Sequence, residues 1–202
     1  TPGADKVSEE YFRRKAEMEH ADMVEHGTRN VTLSFSVPPA DENGNFDFNF
    51  DLFAQKMDLW KKYNFKGPIA LSINTIGIYA KYMGERYGNH MLNIKIPPDA
   101  MFREVTAMVT ALEAERKKRG WPEFLLYPMD EPGRDSTSIV FMSKLLQACK
   151  DAGVRTYLTA DPMRKEFQAL KPYVDVWCTQ AFLPDRETVF KEYKESGVEY
   201  WC

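Results

Sequence analysis

Cysteine is scarce in this sequence of 202 residues, which contains three: Cys149, Cys178 and Cys202. Such widely spaced thiols do not make a disulfide framework, and no CxxC or CxxH spacing predicts a zinc site. We interpret each cysteine as a free, buried thiol. Because the sequence contains no metal-binding motif, we expect no metal ion, and we expect no cofactor.

An excess of positive charge and a long apolar run are also missing. The net charge is −3, with acidic and basic residues interspersed, so the chain lacks the basic stripe that a nucleic-acid partner requires. No apolar stretch approaches the length of a membrane span, and we expect no membrane partner. Residues 1–5 do not resemble a signal peptide, although a processed secreted or periplasmic protein would look the same.

Helix and strand signals alternate along the chain. Short β-branched or apolar runs predict strands, and amphipathic segments with a capping residue before them or Gly after them predict helices. The predicted strands are 29–35, 69–73, a run that begins at 124, 154–159, 174–179 and 198–202. The predicted helices are 8–26, 51–63, 78–86, 98–118, 136–152, 163–170 and 187–196.

This alternation predicts an α/β fold with a parallel sheet. No Gly-x-Gly-x-x-Gly or Walker-type loop follows a strand, which argues against a nucleotide-binding sheet. The alternative is a (β/α)8 TIM barrel, whose usual length of about 250 residues exceeds this chain. Because the sequence opens on a helix and six strands are predicted, we expect residues 1–202 to form one barrel domain. It would carry strands two to seven and be incomplete at both ends.

The most informative segment is 124–133, FLLYPMDEPG. Its apolar run is typical of a strand that is buried on both faces. Pro132 and Gly133 then turn the chain, so Asp130 and Glu131 are expected at the rim of the sheet. Ligands of parallel α/β folds bind at the carboxyl ends of the strands. The two adjacent carboxylates are therefore the predicted catalytic residues.

A structural interpretation of this acidic pair is a helix N-cap followed by ordinary Pro-Gly turn chemistry. However, Asp135, Ser136 and Thr137 already supply a cap for the next predicted helix. The pair is then left without a structural task, which favours the catalytic interpretation.

Adjacent carboxylates suit one form of glycoside hydrolysis. The reaction needs an acid at the leaving oxygen and a negative or nucleophilic group at the anomeric carbon. Adjacent Cα atoms lie about 3.8 Å apart, so in a shielded pocket one carboxyl group of the pair should have a raised pKa and act as the acid. Such a pair fits substrate-assisted catalysis better than a conventional retaining mechanism, whose nucleophile lies on another strand.

The pattern around the pair resembles a known family. The segments 130–132 (DEP), 175–177 (DVW) and 197–201 (GVEYW) look like parts of the catalytic barrel of family 123 glycoside hydrolases and their uncharacterised relatives. The resemblance implies a β-N-acetylgalactosaminidase-type enzyme with substrate-assisted catalysis, in the manner of family 20 hexosaminidases. It also implies that Glu131 is the general acid/base, and that Asp130 orients the 2-acetamido group and stabilises the oxazolinium ion.

Two alternatives stay open. One is a retaining glycosidase of the same barrel with a conventional carboxylate nucleophile outside this chain. The other is a barrel that binds carbohydrate without cleaving it.

Side chains near the strand ends are the predicted contacts for a carbohydrate substrate. They are Asn74, Trp177, Gln180, Tyr200 and Trp201. A Trp face stacks on a sugar, and an amide hydrogen-bonds its hydroxyl groups. Tyr200 and Trp201 point to opposite faces of their strand, so at most one of them faces the barrel interior. Trp177 is equally compatible with a place in the core, and Asn74 with a turn.

The connection 74–98 is long and contains Tyr79, Tyr82 and Tyr87. Long aromatic connections in compact domains often have a function, so this one is interpreted as a wall or lid of a pocket. Packing of the same tyrosines around a surface helix is an equal alternative.

Overall fold

The computed structural model describes residues 2–35, 37–73, 75–87, 94–179 and 199–201, together with 187–188, 191 and 194–195. Within these residues the α-helices are α1 (Pro2–Glu25), α2 (Phe50–Lys62), α3 (Ile76–Met83), α4 (Asp99–Arg119) and α5 (Ser136–Asp151), and Lys165–Tyr173 is a 3₁₀ helix. The strands are β1 (Thr32–Phe35), β2 (Ile69–Ile73), β3 (Phe124–Tyr127), β4 (Arg155–Thr159), β5 (Val176–Cys178) and β6 (Glu199–Trp201). The predicted helix 187–196 lies partly outside the described residues.

The strands form a single sheet in chain order, and every neighbouring pair is parallel. Leu33 of β1 is level with Leu71 of β2, which is level with Leu126 of β3. A parallel sheet in chain order, with helices in the connections, is the arrangement of a (β/α)8 barrel. The predicted fold class is confirmed, with six strands in the described part of the chain.

One face of the sheet packs against the helices. Leu71, Leu126 and Leu158 from the strands share a buried core with Val105 of α4 and Leu145 of α5. Each large apolar side chain buried in this way contributes roughly 1.5–3 kcal/mol. This layer therefore supplies a large part of the stability of the fold.

The opposite face of the sheet, which we call the inner face, carries a smaller apolar cluster. Its buried members are Ala70, Leu125, Tyr127, Tyr157 and Val176, and Cys178 and Trp201 pack against them. Side chains alternate between the two faces of a strand, so these residues are the sequence neighbours of the helix-side core. Within the described residues the cluster contains strand residues only, which places it in the interior of the barrel.

The amino ends of the strands carry an ion-pair group on the inner face. Arg155 of β4 pairs with Glu199 of β6, and its Nη1 atom lies 3.5 Å from Oε2 of Glu123. In (β/α)8 barrels this end serves stability, whereas the carboxyl end carries the active site. The two ends of this sheet are therefore distinct in chemistry.

Two of the three cysteines fall within the described residues, and both are free thiols, as predicted. Burial raises the pKa of the Cys149 thiol to about 12. Cys178 is half-buried, and Cys202 lies outside the described residues. None of the helices in the described ranges is both long enough and apolar enough to cross a membrane.

Candidate active site

Strand β3 delivers the acidic pair to the carboxyl end of the sheet, as expected. The strand ends at Tyr127, Pro128 is buried behind it, and Asp130 and Glu131 follow at the surface. Pro128 has no N–H for the ladder, so the chain leaves the sheet there. Both acidic residues are exposed. The shielded pocket predicted around the pair is therefore not formed by the described residues.

Two hydroxyl groups hold the Asp130 carboxylate. Oγ1 of Thr159, the last residue of β4, donates a hydrogen bond of 2.7 Å to Oδ1 of Asp130. The Tyr127 hydroxyl donates to the same oxygen. Hydrogen bonds to a carboxylate are short, strong and directional, so these two donors fix the orientation of the side chain.

Tyr127 stays a hydrogen-bond donor across the physiological pH range. Burial raises the pKa of its phenol well above the usual value, and the neighbouring Asp130 raises it further. The phenol therefore keeps the proton that it donates to the Asp130 carboxylate.

Glu131 has an unusual backbone. Its φ angle is +43°, in the left-handed region that residues other than Gly, Asn and Asp seldom adopt. Such a conformation costs on the order of 1–3 kcal/mol and persists where the surroundings enforce it. Here the Glu131 amide donates a hydrogen bond of 3.0 Å to Oγ1 of Thr159. Strained backbone of this kind is concentrated at functional sites.

The acidic pair does not cap the next helix. The N-cap of α5 is Asp135, whose side chain accepts hydrogen bonds from the backbone amides of Thr137 (3.1 Å) and Ser138 (3.0 Å). This confirms the cap predicted from the sequence. It removes the structural explanation for Asp130 and Glu131.

Aromatic rings line the inner face below the pair. The rings of Tyr127 and Tyr157 meet edge to face with centroids 5.0 Å apart, and Tyr157 lies 5.6 Å from Trp201. The Trp201 indole donates a hydrogen bond of 2.9 Å to Glu199. The alternation predicted for the sixth strand is thus present: Trp201 lies on the inner face, whereas Tyr200 packs against the helix-side core.

The other predicted substrate contacts do not join this group. Trp177 is 1% exposed and belongs to the core between the sheet and the helices, so the packing interpretation of this residue is the correct one. Tyr200 lies on that same side of the sheet, away from the inner face. Asn74 and Gln180 lie outside the described residues.

Thr75 links the end of β2 to the end of β3. It is buried, donates a 3.3 Å hydrogen bond to the Pro128 carbonyl and contacts the Tyr87 hydroxyl at 2.8 Å. Burial raises the pKa of Tyr87 to about 12, so its hydroxyl also remains protonated. Tyr79 is fully buried and Tyr82 bonds to Glu104. These contacts favour the packing interpretation of the tyrosines in this connection.

Thr159 and Tyr127 are the residues that sequence reasoning missed. Tyr127 ends β3, Thr159 ends β4, and both fall on the inner face, which is a common position that does not single them out in the sequence. Within the part of the chain that the structure describes, no group of three His, Cys, Asp or Glu residues is placed to hold a metal ion.

The parallel sheet in chain order and its helix layer define a protein with a fold of the (β/α)8 barrel type, of which the structure describes six strands. No family model matches the chain, and no curated protein matches it. Among solved structures it is similar to the GH113 β-mannanase AaManA from Alicyclobacillus acidocaldarius in complex with ManMIm. The TM-score is 0.55 and the identity 15%, over 90% of this chain and 61% of that one.

A second similar structure is a complex of a GH113 β-1,4-mannanase, with a TM-score of 0.47, 13% identity, and coverage of 93% of this chain and 63% of that one. The chain thus spans about three fifths of the length of these proteins. At such low identity the likeness to AaManA establishes the fold. Neither structure supports membership of family 123 or N-acetylgalactosaminidase specificity.

Proposed function

We propose that this protein is a glycoside hydrolase that cleaves a β-linked 2-acetamido sugar of the N-acetylgalactosamine type by substrate-assisted catalysis. In this proposal Glu131 is the general acid/base and Asp130 orients the acetamido group. The observation that carries the proposal is the fixed Asp130 carboxylate beside Glu131 at the carboxyl end of β3. In (β/α)8 barrels the catalytic residues lie at the carboxyl ends of the strands.

The contacts of Asp130 match the role that we assign to it. Tyr127 and Thr159 both donate to Oδ1, and no other described residue is hydrogen-bonded to the carboxylate. In this proposal the second oxygen, Oδ2, accepts the N–H of the substrate's acetamido group. Acceptance of this N–H turns the acetamido carbonyl oxygen toward the anomeric carbon and stabilises the positive charge that develops on the group.

Glu131 then serves both halves of the reaction. In the first half it gives its proton to the leaving oxygen as the acetamido oxygen bonds to the anomeric carbon and the glycosidic bond breaks. In the second half Glu131 removes a proton from water, which attacks the anomeric carbon and opens the oxazolinium ion. The acetamido group and Glu131 both return to their starting state, and the anomeric configuration is retained.

The aromatic inner face supplies a surface for the sugar ring. Trp201 is half-buried and lies on the same face as the Tyr127 side chain that holds Asp130, whereas the Tyr157 ring beside it is buried. Aromatic faces pack against the apolar C–H face of a pyranose. In this arrangement the ring rests on the inner face, with its 2-substituent directed to Asp130.

A second candidate is a retaining glycosidase with a conventional carboxylate nucleophile, favoured by the fold likeness to a β-mannanase. Asp161, which follows β4, is a poor choice for that nucleophile, because Oδ1 accepts the Met163 amide at 2.9 Å within its own turn. In this candidate the nucleophile is a carboxylate other than those of Asp130, Glu131 and Asp161.

The test is hydrolysis of 4-nitrophenyl N-acetyl-β-D-galactosaminide by the wild type and by Glu131→Gln and Asp130→Asn. We expect each variant to lose at least about a hundredfold in kcat, since acid/base catalysis contributes roughly 10²–10⁴-fold. Glu166→Gln, an exposed change on the 3₁₀ helix, is the matched control and should keep full activity. Unchanged turnover in Glu131→Gln would overturn the proposal.

Two reagents separate the candidate mechanisms. A thiazoline analogue of the oxazoline should inhibit the wild type competitively if the acetamido group is the nucleophile. A 2-fluoro glycoside that labels a carboxylate, located by mass spectrometry, would instead support the conventional mechanism. Sugar binding that survives the loss of both carboxylates, without turnover by the wild type, would identify a binding barrel.

A further inference from the structure

Thr159 contacts both members of the acidic pair. Its hydroxyl accepts the Glu131 amide at 3.0 Å, donates to Asp130 at 2.7 Å and lies 2.8 Å from the Tyr127 hydroxyl. A threonine hydroxyl has one proton and two lone pairs, so Thr159 donates its proton to Asp130 and accepts the Glu131 amide at the same time. A side chain at the end of β4 thus bonds to both acidic residues that follow β3.

We propose that Thr159 is a positioning residue that fixes the Asp130 and Glu131 side chains relative to each other, and that it does so through its hydroxyl group. This inference rests on the proposed function. Thr159 acts on Glu131 through the backbone and on Asp130 through the side chain. The distance and angle between the acid/base and the group that orients the substrate are therefore fixed from the neighbouring strand.

The backbone conformation of Glu131 explains why a hydrogen bond to Thr159 is needed to hold it. A glutamate with φ of +43° is held away from its preferred conformations. The hydrogen bond from its amide to Thr159 opposes relaxation of this segment. Without the bond, residue 131 can return to negative φ, which would rotate the Glu131 side chain away from its position beside Asp130.

The strand context gives Thr159 the rigidity that this role requires. β4 is paired on both sides, with β3 and with β5, and Leu158 next to Thr159 is fully buried in the helix-side core. Groups that support a catalytic residue act best when they are built on regular elements. A loop residue such as Met129 or Gly133 would lack this support.

The variants that test the inference differ in the hydroxyl. Thr159→Val keeps the shape and removes the hydroxyl, whereas Thr159→Ser keeps the hydroxyl and removes a methyl group. Thr159→Ala is a second variant without the hydroxyl, in case valine prevents folding. Thr110→Val is the matched control, because the Thr110 hydroxyl donates to the Thr106 carbonyl on α4, away from the site.

The first measurement is steady-state hydrolysis of 4-nitrophenyl N-acetyl-β-D-galactosaminide. Misplacement of a catalytic group by about 1 Å lowers rates by about a hundredfold, so we expect kcat of Thr159→Val to fall roughly 10- to 100-fold with a smaller change in KM. Thr159→Ser should stay within about threefold of the wild type, as should Thr110→Val. Equal losses in the Val and Ser variants would overturn the inference.

The second measurement does not depend on catalysis. Hydrogen–deuterium exchange of the Glu131 amide, followed by NMR, should be at least about fivefold faster in Thr159→Val and Thr159→Ala than in the wild type, because the amide loses its acceptor. Thr159→Ser should restore slow exchange. An exchange rate that does not respond to loss of the hydroxyl would overturn the inference.

The failure of the two proposals can be told apart. If Glu131→Gln is inactive while Thr159→Val keeps wild-type kcat and exchange, the function stands and the role of Thr159 is wrong. If Glu131→Gln has full activity, or the wild type has none, the proposed function fails. The exchange rates then still decide whether Thr159 fixes the backbone of Glu131.

Discussion

The hydroxyl of Tyr127 donates a hydrogen bond to the carboxylate of Asp130, three residues further along the chain and beyond the buried Pro128. The last side chain of β3 on the inner face therefore holds a side chain in the loop that follows the strand. This contact joins the packed interior of the sheet to the acidic pair at its rim. It gives the pair a fixed geometry although both residues are exposed.

Replacement of Tyr127 by Phe should lower kcat without loss of the fold. The variant keeps the ring that packs against Tyr157 and removes one of the two donors to Asp130. A hydrogen bond to a charged group is worth about 1.5–3 kcal/mol, which is roughly 10- to 150-fold in rate if the bond is fully used in the transition state. The measurement is kcat on the aryl glycoside together with the thermal midpoint.

Tyr82→Phe is the control for that experiment, since its hydroxyl bonds to Glu104 outside the site. It should affect stability more than kcat. A Tyr127→Phe variant with wild-type kcat would show that Asp130 does not need its phenol donor.

Replacement of Trp177 in β5 and of Trp201 in β6 should have opposite effects on stability and on substrate binding. Trp177→Ala removes a side chain that is 1% exposed and should cost about 3–5 kcal/mol of stability. Trp201→Ala removes a half-buried ring from the inner face and should mainly raise KM or weaken thiazoline binding. Urea unfolding and inhibitor titration of both variants are the measurements. The assignment of the two faces would be contradicted if a folded Trp177→Ala bound the inhibitor more weakly than the wild type while Trp201→Ala bound it as tightly as the wild type.

Glu104 on α4 should make the stability depend on pH. Its carboxylate accepts hydrogen bonds from the Ala40 amide (2.9 Å), Lys81 (2.7 Å) and Tyr82 (2.8 Å). Burial opposes ionisation, but these hydrogen bonds outweigh it and lower the pKa of Glu104 below its usual 4.5. A lowered folded-state pKa means that the stabilisation is complete above about pH 4.5 and is lost as the pH falls through the folded-state value.

Glu104→Gln should therefore destabilise the protein by about 2–4 kcal/mol at pH 7, because Lys81 and the Ala40 amide lose a charged acceptor. Urea unfolding of the wild type and the variant between pH 7 and pH 3 is the measurement. The difference in unfolding free energy should shrink as the pH falls. A constant difference over this range would contradict the role assigned to the carboxylate.

Asp135→Ala should separate the cap from the acidic pair. Loss of the two amide contacts at the start of α5 should cost about 0.5–2 kcal/mol of stability, while kcat stays near the wild-type value. Asp135→Asn keeps an oxygen acceptor and should retain most of the stability. A large loss of kcat in a folded Asp135→Ala would mean that the start of α5, and not the pair itself, organises the site.

The order of elements and the address of the acidic pair could be predicted because both are local properties of the sequence. The end of β3 can be predicted because the apolar run from Phe124 to Tyr127 is followed by Pro128, which has no backbone N–H to donate to a neighbouring strand. Strict alternation likewise placed Trp201 and Tyr200 on opposite faces. These inferences need no knowledge of which strand lies beside which.

The supports of the pair depend on long-range register and could not be read in the same way. Thr159 reaches Asp130 across 29 positions of sequence, through the pairing of β3 with β4. A threonine at a strand end is too common to signal this role. For Trp177, a shift of one residue in the assumed phase of a three-residue strand moves the side chain to the other face, so the sequence left both places open.

The most direct test of the central claim is a comparison of two aryl β-galactosides that differ at C2, one with an acetamido group and one with a hydroxyl group. Substrate-assisted catalysis by Asp130 and Glu131 predicts that the wild type hydrolyses the 2-acetamido substrate at least about a thousandfold faster in kcat/KM, because the second substrate lacks its internal nucleophile. The preference should disappear in Asp130→Asn. Equal hydrolysis of both substrates by the wild type, or a preference that survives in Asp130→Asn, would contradict the account.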